Sequence, residues 1–467
     1  MSATGTPIAP RSRFTPLLGA LRQATGARFT RDVAVLQVSN TVQKLLAFAA
    51  HIALARLLGP EGYGQYVIVL SFFGTINLLG NVGLGPALVT RLAEAAASRD
   101  QDEVRRVAGY LLKTSVALAL MVTAVIWLLG HQIAAWWYPD PEYGDLVKIL
   151  ALSAPLAAIF LVLMASLQSV RRMRELALVE NSARVVGAGF GVGAVWIGLG
   201  LPGALSGIVL GSAAGCLLGS VAYQRILRRR HAFPSWGSLA SAAITVPWRT
   251  YFRFSTLALL DKNIAGLFAQ SPYLFLGRFA SPEHVAYFGI ATKVFAFLAA
   301  FHGAVARNLS VWLAQEKSKG DLGGVRTVFW RVTLLWTPLA CVIAAGLAVC
   351  VPIFRWLYGP ELLPSLPLVL VLAAHHGLMA LGIGFGSVFL VTDRIGLNIA
   401  IKTPINLAFL PIGAVLIQHW GTIGAAAYIM AAYSAGYVAY LALLASRWFW
   451  RSSAQRLALR SEWGTTA

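Results

Sequence analysis

The amino-acid sequence predicts an all-α polytopic membrane protein with about twelve transmembrane helices in two six-helix bundles. Three observations lead to this fold class. Of the 467 residues, 58% are hydrophobic and 12% are charged, and the mean hydropathy is +0.69. The chain contains a series of apolar runs long enough to cross a membrane. Its second half also repeats features of its first half at nearly constant spacing.

The composition excludes an ordinary soluble domain, in which about 25% of residues are charged. A soluble protein this apolar would expose patches that aggregate. The net charge of +20 would suggest nucleic-acid binding in a soluble protein. Here, however, the basic residues lie mostly in loops between apolar runs, which the positive-inside rule explains without a nucleic-acid partner. The three cysteines form no CxxC pattern, which argues against a disulfide framework and a thiolate metal site.

Twelve apolar runs approach or exceed the roughly 20 residues that one crossing needs. The predicted spans are 33–55, 64–89, 107–130, 146–168, 177–198, 203–223, 254–277, 285–310, 327–350, 363–390, 396–416 and 422–446. Lys and Arg are concentrated in alternate loops, whereas the opposite side holds only Arg56, Arg278 and Arg355, with Lys148 at a span edge. This asymmetry predicts that both termini lie in the cytoplasm.

A basic segment, RILRRRHAFPSWGS, follows the sixth span and divides the chain near its middle. The predicted organisation is a basic cytoplasmic N-terminal tail (1–32), an N-terminal six-helix bundle (33–223), a cytoplasmic linker (224–253), a C-terminal six-helix bundle (254–446) and a basic cytoplasmic C-terminal tail (447–467). No signal peptide is expected, because the N-terminal tail has several arginines but no long apolar core.

The two halves share three short patterns in the same order. RLLGPEGYGQY aligns with RFASPEHVAYF through its Arg, Pro and Glu, and Asp-x-x-x-Val-Arg and Gly-x-x-Gly-Ala each occur twice. The matched ranges are 56–66 with 278–288, 100–105 with 321–326, and 200–204 with 421–425. Because the paired hairpins have the same orientation, we expect parallel repeats related by an axis along the membrane normal, with a binding site between them. The alternative is that the hairpin match arose without duplication, because any Pro-containing turn on the outer side would look similar.

Two runs resemble a known family. NTVQKLLAFAAHIALARLLGPEGYGQYVIVLSFFGTINLLGNVGLGPALV resembles the oligosaccharide or O-antigen (Wzx-type) flippases of the multidrug/oligosaccharidyl-lipid/polysaccharide exporter superfamily. YLFLGRFASPEHVAYFGIATKVFAF resembles the matching repeat, and the resemblance covers about 33 to 446. It implies two six-helix bundles that form a V around a central cavity. It also implies movement of polyprenyl-pyrophosphate-linked glycans between leaflets, although the motifs specify the superfamily better than the substrate.

Charged and amide side chains inside the spans are the candidate binding residues. A pyrophosphate calls for cations, and sugars call for amides and hydroxyls. Lys44 lies near the middle of the first span, and a lysine at such depth is costly unless it faces a polar cavity. Asn40 and His51 share its helical face. The predicted substrate-binding residues are Lys44, Lys293, Arg307, Lys262, Asn40, Asn77 and Asn81.

Three residues are candidates for coupling transport to H⁺ or Na⁺. Glu180 and Asp261 are the acidic residues well inside the spans, and His302 could titrate. The alternatives are a structural ion pair between Asp261 and Lys262, and a buried, hydrogen-bonded histidine.

Other conspicuous residues have structural interpretations. Basic residues near the cytoplasmic span ends are expected to extend to the headgroups: Lys113, Arg184, Arg331 and Lys402. Trp136, Trp137 and Tyr138 are predicted to anchor the outer interface. The glycines of GAGFGVG at 187–193 indicate close helix packing rather than a nucleotide site. Arg56 and Arg278 are expected to pair with Glu61 and Glu283, with contact to a glycan as the alternative.

The expected function is transport, not catalysis, since no P-loop, HExxH or GxSxG pattern occurs. We expect a flippase of the bacterial cytoplasmic membrane that works by alternating access, with no cofactor and no metal site. The expected partners are a polyprenyl-pyrophosphate-linked glycan, anionic lipids and, as candidates, a polysaccharide polymerase and glycosyltransferases. The alternatives are a drug/cation antiporter of the same superfamily and a membrane glycan polymerase or ligase.

Overall fold

The computed structural model describes residues 27–80, 85–228, 233–247, 256–318, 322–349, 351–446 and 449–450. Side chains are described within these ranges except at 27–37, 85–87, 90, 256–261, 297–301, 303–304, 307–308, 311, 318, 347–349, 351 and 378. Asn81 and the side chains of Asp261 and Arg307 therefore lie outside the described part of the chain.

The described chain is helical nearly throughout, which confirms the all-α class. The helices are α1 (Ala27–Asn77), α2 (Gly85–Ser98), α3 (Gln101–Trp137), α4 (Tyr143–Ala151), α5 (Ser153–Ser169), α6 (Met173–Ala194), α7 (Gly200–Ala222), α8 (Trp236–Thr245), α9 (Thr256–Phe279), α10 (Pro282–Ser318), α11 (Leu322–Val349), α12 (Val351–Tyr358), α13 (Leu366–Ala380), α14 (Phe385–Val391) and α15 (Ile395–Ala445).

Within the described ranges, six helical stretches are long and apolar enough to cross a membrane. Three of them, Val38–Gly80, Met173–Arg228 and Ile395–Ala445, contain 43, 56 and 51 residues. One crossing takes about 20 residues, so each of these three has the length for two crossings. A multi-pass membrane protein is thus confirmed. All twelve predicted ranges overlap helices, while the count of twelve crossings stays a prediction.

The long stretches turn at glycines whose backbone conformation disfavours other residues. In α1 the break is at Gly59 (φ 68°, ψ 179°), directly before Pro60. Gly200 (φ 53°, ψ −143°) begins α7, and Gly421 (φ 53°, ψ −127°) breaks α15. These positive φ values suit glycine because it has no β-carbon. The nearly equal angles at 200 and 421 show that the two halves repeat in backbone geometry as well as in sequence.

A second backbone feature recurs in both halves, although the residues at the two positions are of different types. Arg171 (φ 58°) follows α5, and Asp393 (φ 57°) follows α14. In each case the N–H of this residue bonds to the carbonyl three residues earlier, at 3.0 and 3.1 Å. The next N–H bonds to the carbonyl five residues before it, at 3.0 and 2.7 Å. The same helix-ending arrangement therefore recurs at the spacing found for the hairpins.

Two predicted spans and the predicted linker need correction. Helix α1 ends at Asn77, so range 64–89 is not one continuous helix. Range 363–390 is interrupted between α13 and α14, where two glycines reduce helix propensity. Part of the linker forms α8 and packs on α3, where Lys113 Nζ donates to the carbonyl of Val246 at 2.9 Å. The expectation that Lys113 extends to the headgroups is therefore wrong.

Among the described residues, one hydrophobic core joins the two halves, and three smaller clusters each stay within one half, the smallest of them being Ala119, Ala154 and Ala158. The shared core takes buried residues from 54–205 and from 268–432, around the Gly59 hairpin and the turn between α9 and α10. We call this the closed end. At the opposite, open end, one cluster lies within 88–246 and another within 309–449. Among the described residues, the core shared by the two halves therefore lies at one end of the molecule.

Main-chain contacts bring the halves together at the closed end. A β-carbon at Gly64 would lie 1.8 Å from the carbonyl oxygen of Pro282. One at Gly289 would lie 3.3 Å from a methyl of Val67, which occupies the equivalent position at the 222-residue spacing. Equivalent residues in contact are expected where a pseudo-twofold axis passes between the repeats.

Arg278 joins the halves differently from the prediction. Its guanidinium donates to the carbonyls of Trp136 at 3.0 Å and Trp137 at 2.7 Å and lies 5.0 Å from the Trp137 ring centre. Glu283 instead accepts from Ser281. The predicted Arg278–Glu283 pair is therefore wrong, and Arg56 and Glu61 form no ion pair among the described residues either.

The outer aromatic residues divide between surface and core. Trp136 is 74% exposed, as expected for a membrane-interface anchor, whereas Tyr138 is buried. Trp137 is half-buried, and its indole N–H donates to the carbonyl of Leu274 in the other half at 3.2 Å. Only Trp136 is therefore placed as the sequence predicts.

Candidate functional site: a cationic cavity between the halves

A cavity of about 850 Å³ lies between α1, α6 and α7 of the first half and α9 and α10 of the second. Pockets for small molecules typically measure about 300–1,000 Å³. The polar and charged residues in its wall are Lys44, His51, Tyr63, Tyr66, Ser71, Glu180, Arg184, Ser212, Gln270, Tyr273 and Lys293. Both repeats thus contribute to one site, as parallel-repeat transporters lead one to expect.

Glycines allow α6 and α7 to form a thin wall of this cavity. A β-carbon at Gly207 would lie 2.6 Å from the carbonyl oxygen of Gly187 and 2.6 Å from the Cα of Gly191. The helices therefore approach backbone to backbone, as small residues permit in membranes. Two of the four glycines of GAGFGVG, Gly187 and Gly191, thus act in helix packing as predicted, and both also line the cavity.

Among the described residues, the cavity wall carries three cationic side chains and one carboxylate. Lys44, Arg184 and Lys293 are all exposed, and all three line the cavity. Among the described residues, none of them forms an ion pair with a carboxylate. Their positive charge therefore remains available to a bound anion.

The single carboxylate is held by a neighbouring amide. Gln43 Nε2 donates to Glu180 Oε2 at 3.1 Å and to Ser39 Oγ at 3.3 Å, and Asn181 Nδ2 donates to the same Ser39 oxygen at 3.1 Å. These bonds connect α1 to α6. They orient Glu180 towards the first-half wall rather than towards a partner lysine.

The end of the cavity nearest the closed end is aromatic and hydroxyl-rich. Tyr63 bonds through its hydroxyl to His51 Nδ1, and the Tyr358 ring lies 5.9 Å from the His51 ring. The Tyr273 hydroxyl bonds to Thr292 Oγ1 at 2.5 Å. These side chains are fixed by packing and hydrogen bonds, and they add no formal charge.

The other predicted binding residues are placed away from this cavity wall. Asn40 is half-buried, and Asn77 and Lys262 are exposed, but none of the three lines the cavity. His302 lies inside the second half, with its ring 4.1 Å from that of His376 and 5.7 Å from that of Trp336. Of the predicted residues, the structure brings Lys44, Lys293 and Glu180 together.

Several lining residues were missed from the sequence. Arg184, which we assigned to the headgroup region, faces the cavity one helical turn from Glu180. The signal was available, because 180, 184, 187 and 191 recur at helical spacing. Gln270 and the lining tyrosines carried no such signal, since uncharged residues in a span do not reveal which way they face.

This arrangement can bind an anionic, hydroxyl-bearing molecule between two halves of the protein. In the described part of the chain, no group of three or more His, Cys, Asp or Glu side chains could hold a metal ion. Binding would therefore rest on the cations, hydroxyls and amides.

Comparison with known proteins agrees with this architecture. A family described as "Polysaccharide biosynthesis protein" matches residues 29–304, more than half of the chain. Stage V sporulation protein B of Bacillus subtilis (strain 168) is 26% identical over 191 residues, or 40% of this chain and 36% of that protein. Probable multidrug resistance protein NorM of Rhizobium meliloti (strain 1021) is 28% identical over 175 residues, or 35% and 37%. The aligned part thus spans little more than a third of each relative.

The fold is also found in solved transporters. The inward-facing conformation of a multidrug resistance MATE family transporter of the MOP superfamily superposes with a TM-score of 0.68 at 16% identity. The match covers 88% of this chain and 98% of that one. The family match extends from the first half of the chain into the second, and the fold is that of MOP-type transporters. The chain therefore belongs to the polysaccharide biosynthesis protein family.

Proposed function

We propose that the protein is a flippase that moves a polyprenyl-pyrophosphate-linked oligosaccharide from the inner to the outer leaflet of a bacterial cytoplasmic membrane. The observation that carries this proposal is the cavity between the repeats, in whose wall the described residues place three cations and a single carboxylate. A pyrophosphate pairs with cations through charge-assisted hydrogen bonds, which are stronger than neutral ones. A glycan needs hydroxyls and amides, which the same wall supplies.

The proposed orientation follows from the loop charges. The loops at the open end hold most of the basic residues between spans, so the positive-inside rule assigns this end to the cytoplasm. Both termini are then cytoplasmic. The cavity in this structure would receive substrate from the inner leaflet, and rocking of the halves would close the open end and separate the closed end, which is alternating access.

Energy coupling and partners complete the proposal. Glu180 is the one carboxylate that the described residues place in the cavity wall, so it is the leading candidate for coupling to H⁺ or Na⁺. The lipid-linked glycan is the proposed substrate. Anionic lipids would contact the basic open-end loops, and a polysaccharide polymerase and glycosyltransferases would act after and before transport.

The sign of the cavity charge favours this function over the alternatives. A drug/cation antiporter needs carboxylates to hold a cationic substrate, whereas the described residues of this wall include one carboxylate beside three cations. A polymerase or ligase needs catalytic groups in an outer loop, whereas the polar groups described above converge on a cavity between membrane helices.

Replacement of the cavity lysines tests the proposal. Lys44→Gln combined with Lys293→Gln should reduce export of surface glycan at least about tenfold, because two charge-assisted contacts, each worth about 1.5–3 kcal/mol, are lost. The lipid-linked intermediate should accumulate on the inner leaflet while protein levels stay constant. Lys148→Gln is the control, since Lys148 lies outside the cavity and pairs with Asp145. Full export by the double variant would contradict the proposal.

A further inference from the structure

One further sequence pattern recurs at the closed end. Ile-x-x-Trp-x-Tyr occurs twice, 220 residues apart, at 133–138 and 353–358. The first copy lies at the end of α3 and the second at the end of α12, and we call them the tryptophan segments. Trp136 is 74% exposed and Trp356 is 75% exposed. Tyr138 and Tyr358 are buried. Each half therefore presents one tryptophan outwards and one tyrosine inwards at equivalent positions of the repeat.

The first tryptophan segment is bonded to the second half. The main-chain carbonyl of Trp136 accepts from the Arg278 guanidinium at 3.0 Å. A β-carbon at Gly277 would lie 2.9 Å from Cε1 of Tyr138, so the tyrosine ring lies against that glycine. Both partners belong to α9. The exposed tryptophan and the buried tyrosine of this segment are thus held by the interface between the halves.

The second tryptophan segment makes the reciprocal contact with the first half. Helix α12 packs on α1, where the ring of Tyr358 lies 5.9 Å from that of His51. Phe354, one turn earlier, is buried, and its ring lies 4.7 Å from that of Tyr358. Ile353 and Trp356 are exposed instead, one turn apart on another face. Each half therefore contributes one segment that packs across the closed end.

The exposed side of these segments fits the headgroup layer of a bilayer. Large apolar side chains are unfavourable in water. Tryptophan is enriched where hydrocarbon meets headgroups, because its ring is apolar and its N–H donates a hydrogen bond. An exposed arginine accompanies each segment: Arg278 beside the first and Arg355 within the second. Among the described residues, Arg355 forms no ion pair, and arginine forms charge-assisted hydrogen bonds with phosphate.

We propose that the two tryptophan segments bind the phospholipid headgroup layer on the closed-end side of the membrane, and that this binding stabilises the closed end. Two residues separate the tryptophan from the tyrosine in each segment, so movement of the tyrosine away from the other half also displaces the tryptophan. By linkage, a bilayer that holds the tryptophans favours the packed tyrosines to the same degree. The partner is the bilayer, whatever substrate is transported.

Replacement of both tryptophans tests this link. Trp136→Ala combined with Trp356→Ala is made in the full chain, in nanodiscs of phosphatidylethanolamine and phosphatidylglycerol. Pulsed electron paramagnetic resonance between spin labels at positions 105 and 326, with native cysteines replaced, measures the separation of the halves at the open end. The population with short distances should rise about threefold, because the closed end loses its contact with the headgroups. An unchanged distribution would overturn the proposal.

Two controls separate the headgroup contact from other effects of substitution. Trp136→Tyr combined with Trp356→Tyr should keep the native distances, because tyrosine also favours the interface. Trp196→Ala removes a tryptophan that is 77% exposed and lies two residues before Gly198, where a β-carbon would meet no atom within 4 Å. It should therefore leave the distances unchanged. A shift in either control as large as that of the alanine pair would overturn the proposal.

The depth of the segments is tested separately. Nitroxide labels are introduced through Ala135→Cys and Arg355→Cys, at equivalent exposed positions. Their collisions with oxygen, which partitions into hydrocarbon, are compared with those of a nickel chelate, which stays in water. Both labels should report the same depth, within the headgroup layer, and a label deep in hydrocarbon or in bulk water would overturn the proposal. Neither measurement uses a transported substrate, so the outcome is independent of the proposed function.

Discussion

The two ends of the molecule differ in how the halves meet. At the closed end, residues from both sides of the linker share one buried core. At the open end, each half has a separate core. The closed end therefore carries the contacts that must break for the halves to rock, whereas the open end is stabilised within each half. This arrangement suits a transporter whose two halves rock as rigid bodies, so that the interface at the closed end separates while a new interface forms at the open end.

The closed-end contacts use backbone atoms. Gly64 meets Pro282, and Arg278 binds two main-chain carbonyls in the other half. These contacts depend on close approach of the two halves. A small substitution at the closed end should therefore destabilise the protein more than a larger substitution at the open end. Three substitutions test this contrast, in order of decreasing effect.

Gly64→Ala should have the largest effect. The added β-carbon would lie 1.8 Å from the Pro282 oxygen, so the halves must separate locally. Overpacking of this kind costs about 1–3 kcal/mol. The apparent unfolding temperature in detergent should fall by several degrees, and glycan export should fall with it.

Gly189→Ala is the matched control for Gly64→Ala. Gly189 is in the middle of α6, and a β-carbon there would meet no atom within 4 Å. Helix propensity alone then favours alanine by about 1 kcal/mol, so stability should be unchanged or slightly higher. Equal losses from both substitutions would mean that the Gly64–Pro282 contact does not hold the halves together.

Arg278→Gln should have an intermediate effect. It removes two charge-assisted bonds to main-chain carbonyls and the contact with the Trp137 ring. Because the side chain is exposed, we expect about 1 kcal/mol, or roughly a fivefold shift towards separation of the closed end. Pulsed electron paramagnetic resonance between spin labels at positions 105 and 326, with native cysteines replaced, should show shorter distances at the open end.

The control for Arg278→Gln is Arg106→Gln. Arg106 pairs with Glu103 on the same helix, and among the described residues it forms no ion pair across the halves. Its loss should leave the label distances unchanged. An unchanged distribution in Arg278→Gln as well would show that this arginine does not stabilise the closed end.

Lys317→Ala should have the smallest effect. Lys317 pairs with Asp393 at the open end, within the second half, and the Asp393 side chain is 81% exposed. An exposed ion pair contributes about 0–1 kcal/mol and less at high salt. The unfolding temperature should change by no more than about a degree. A fall as large as that of Gly64→Ala would contradict the contrast between the two ends.

Depth within a span identified some site residues and not others. Lys44 and Lys293 were found because a charge far from both membrane surfaces must face something polar, and the structure places both in one cavity wall. Arg184 was assigned to the membrane surface because sequence distance from a span end does not show helix tilt. Asn40 shares a helical face with Lys44 in sequence, but the cavity wall does not extend to it.

The sequence by itself determined the membrane class, the positions of most helices and the existence of two related halves. These depend on local properties: hydrophobic length, glycine at positive φ and matching residues at fixed spacing. Tertiary structure alone decided which faces converge on the cavity, that Arg278 binds carbonyls rather than Glu283, and that the halves meet at one end. Each of these depends on contacts between residues far apart in sequence, and hydropathy, which is similar around most of each span, does not specify them.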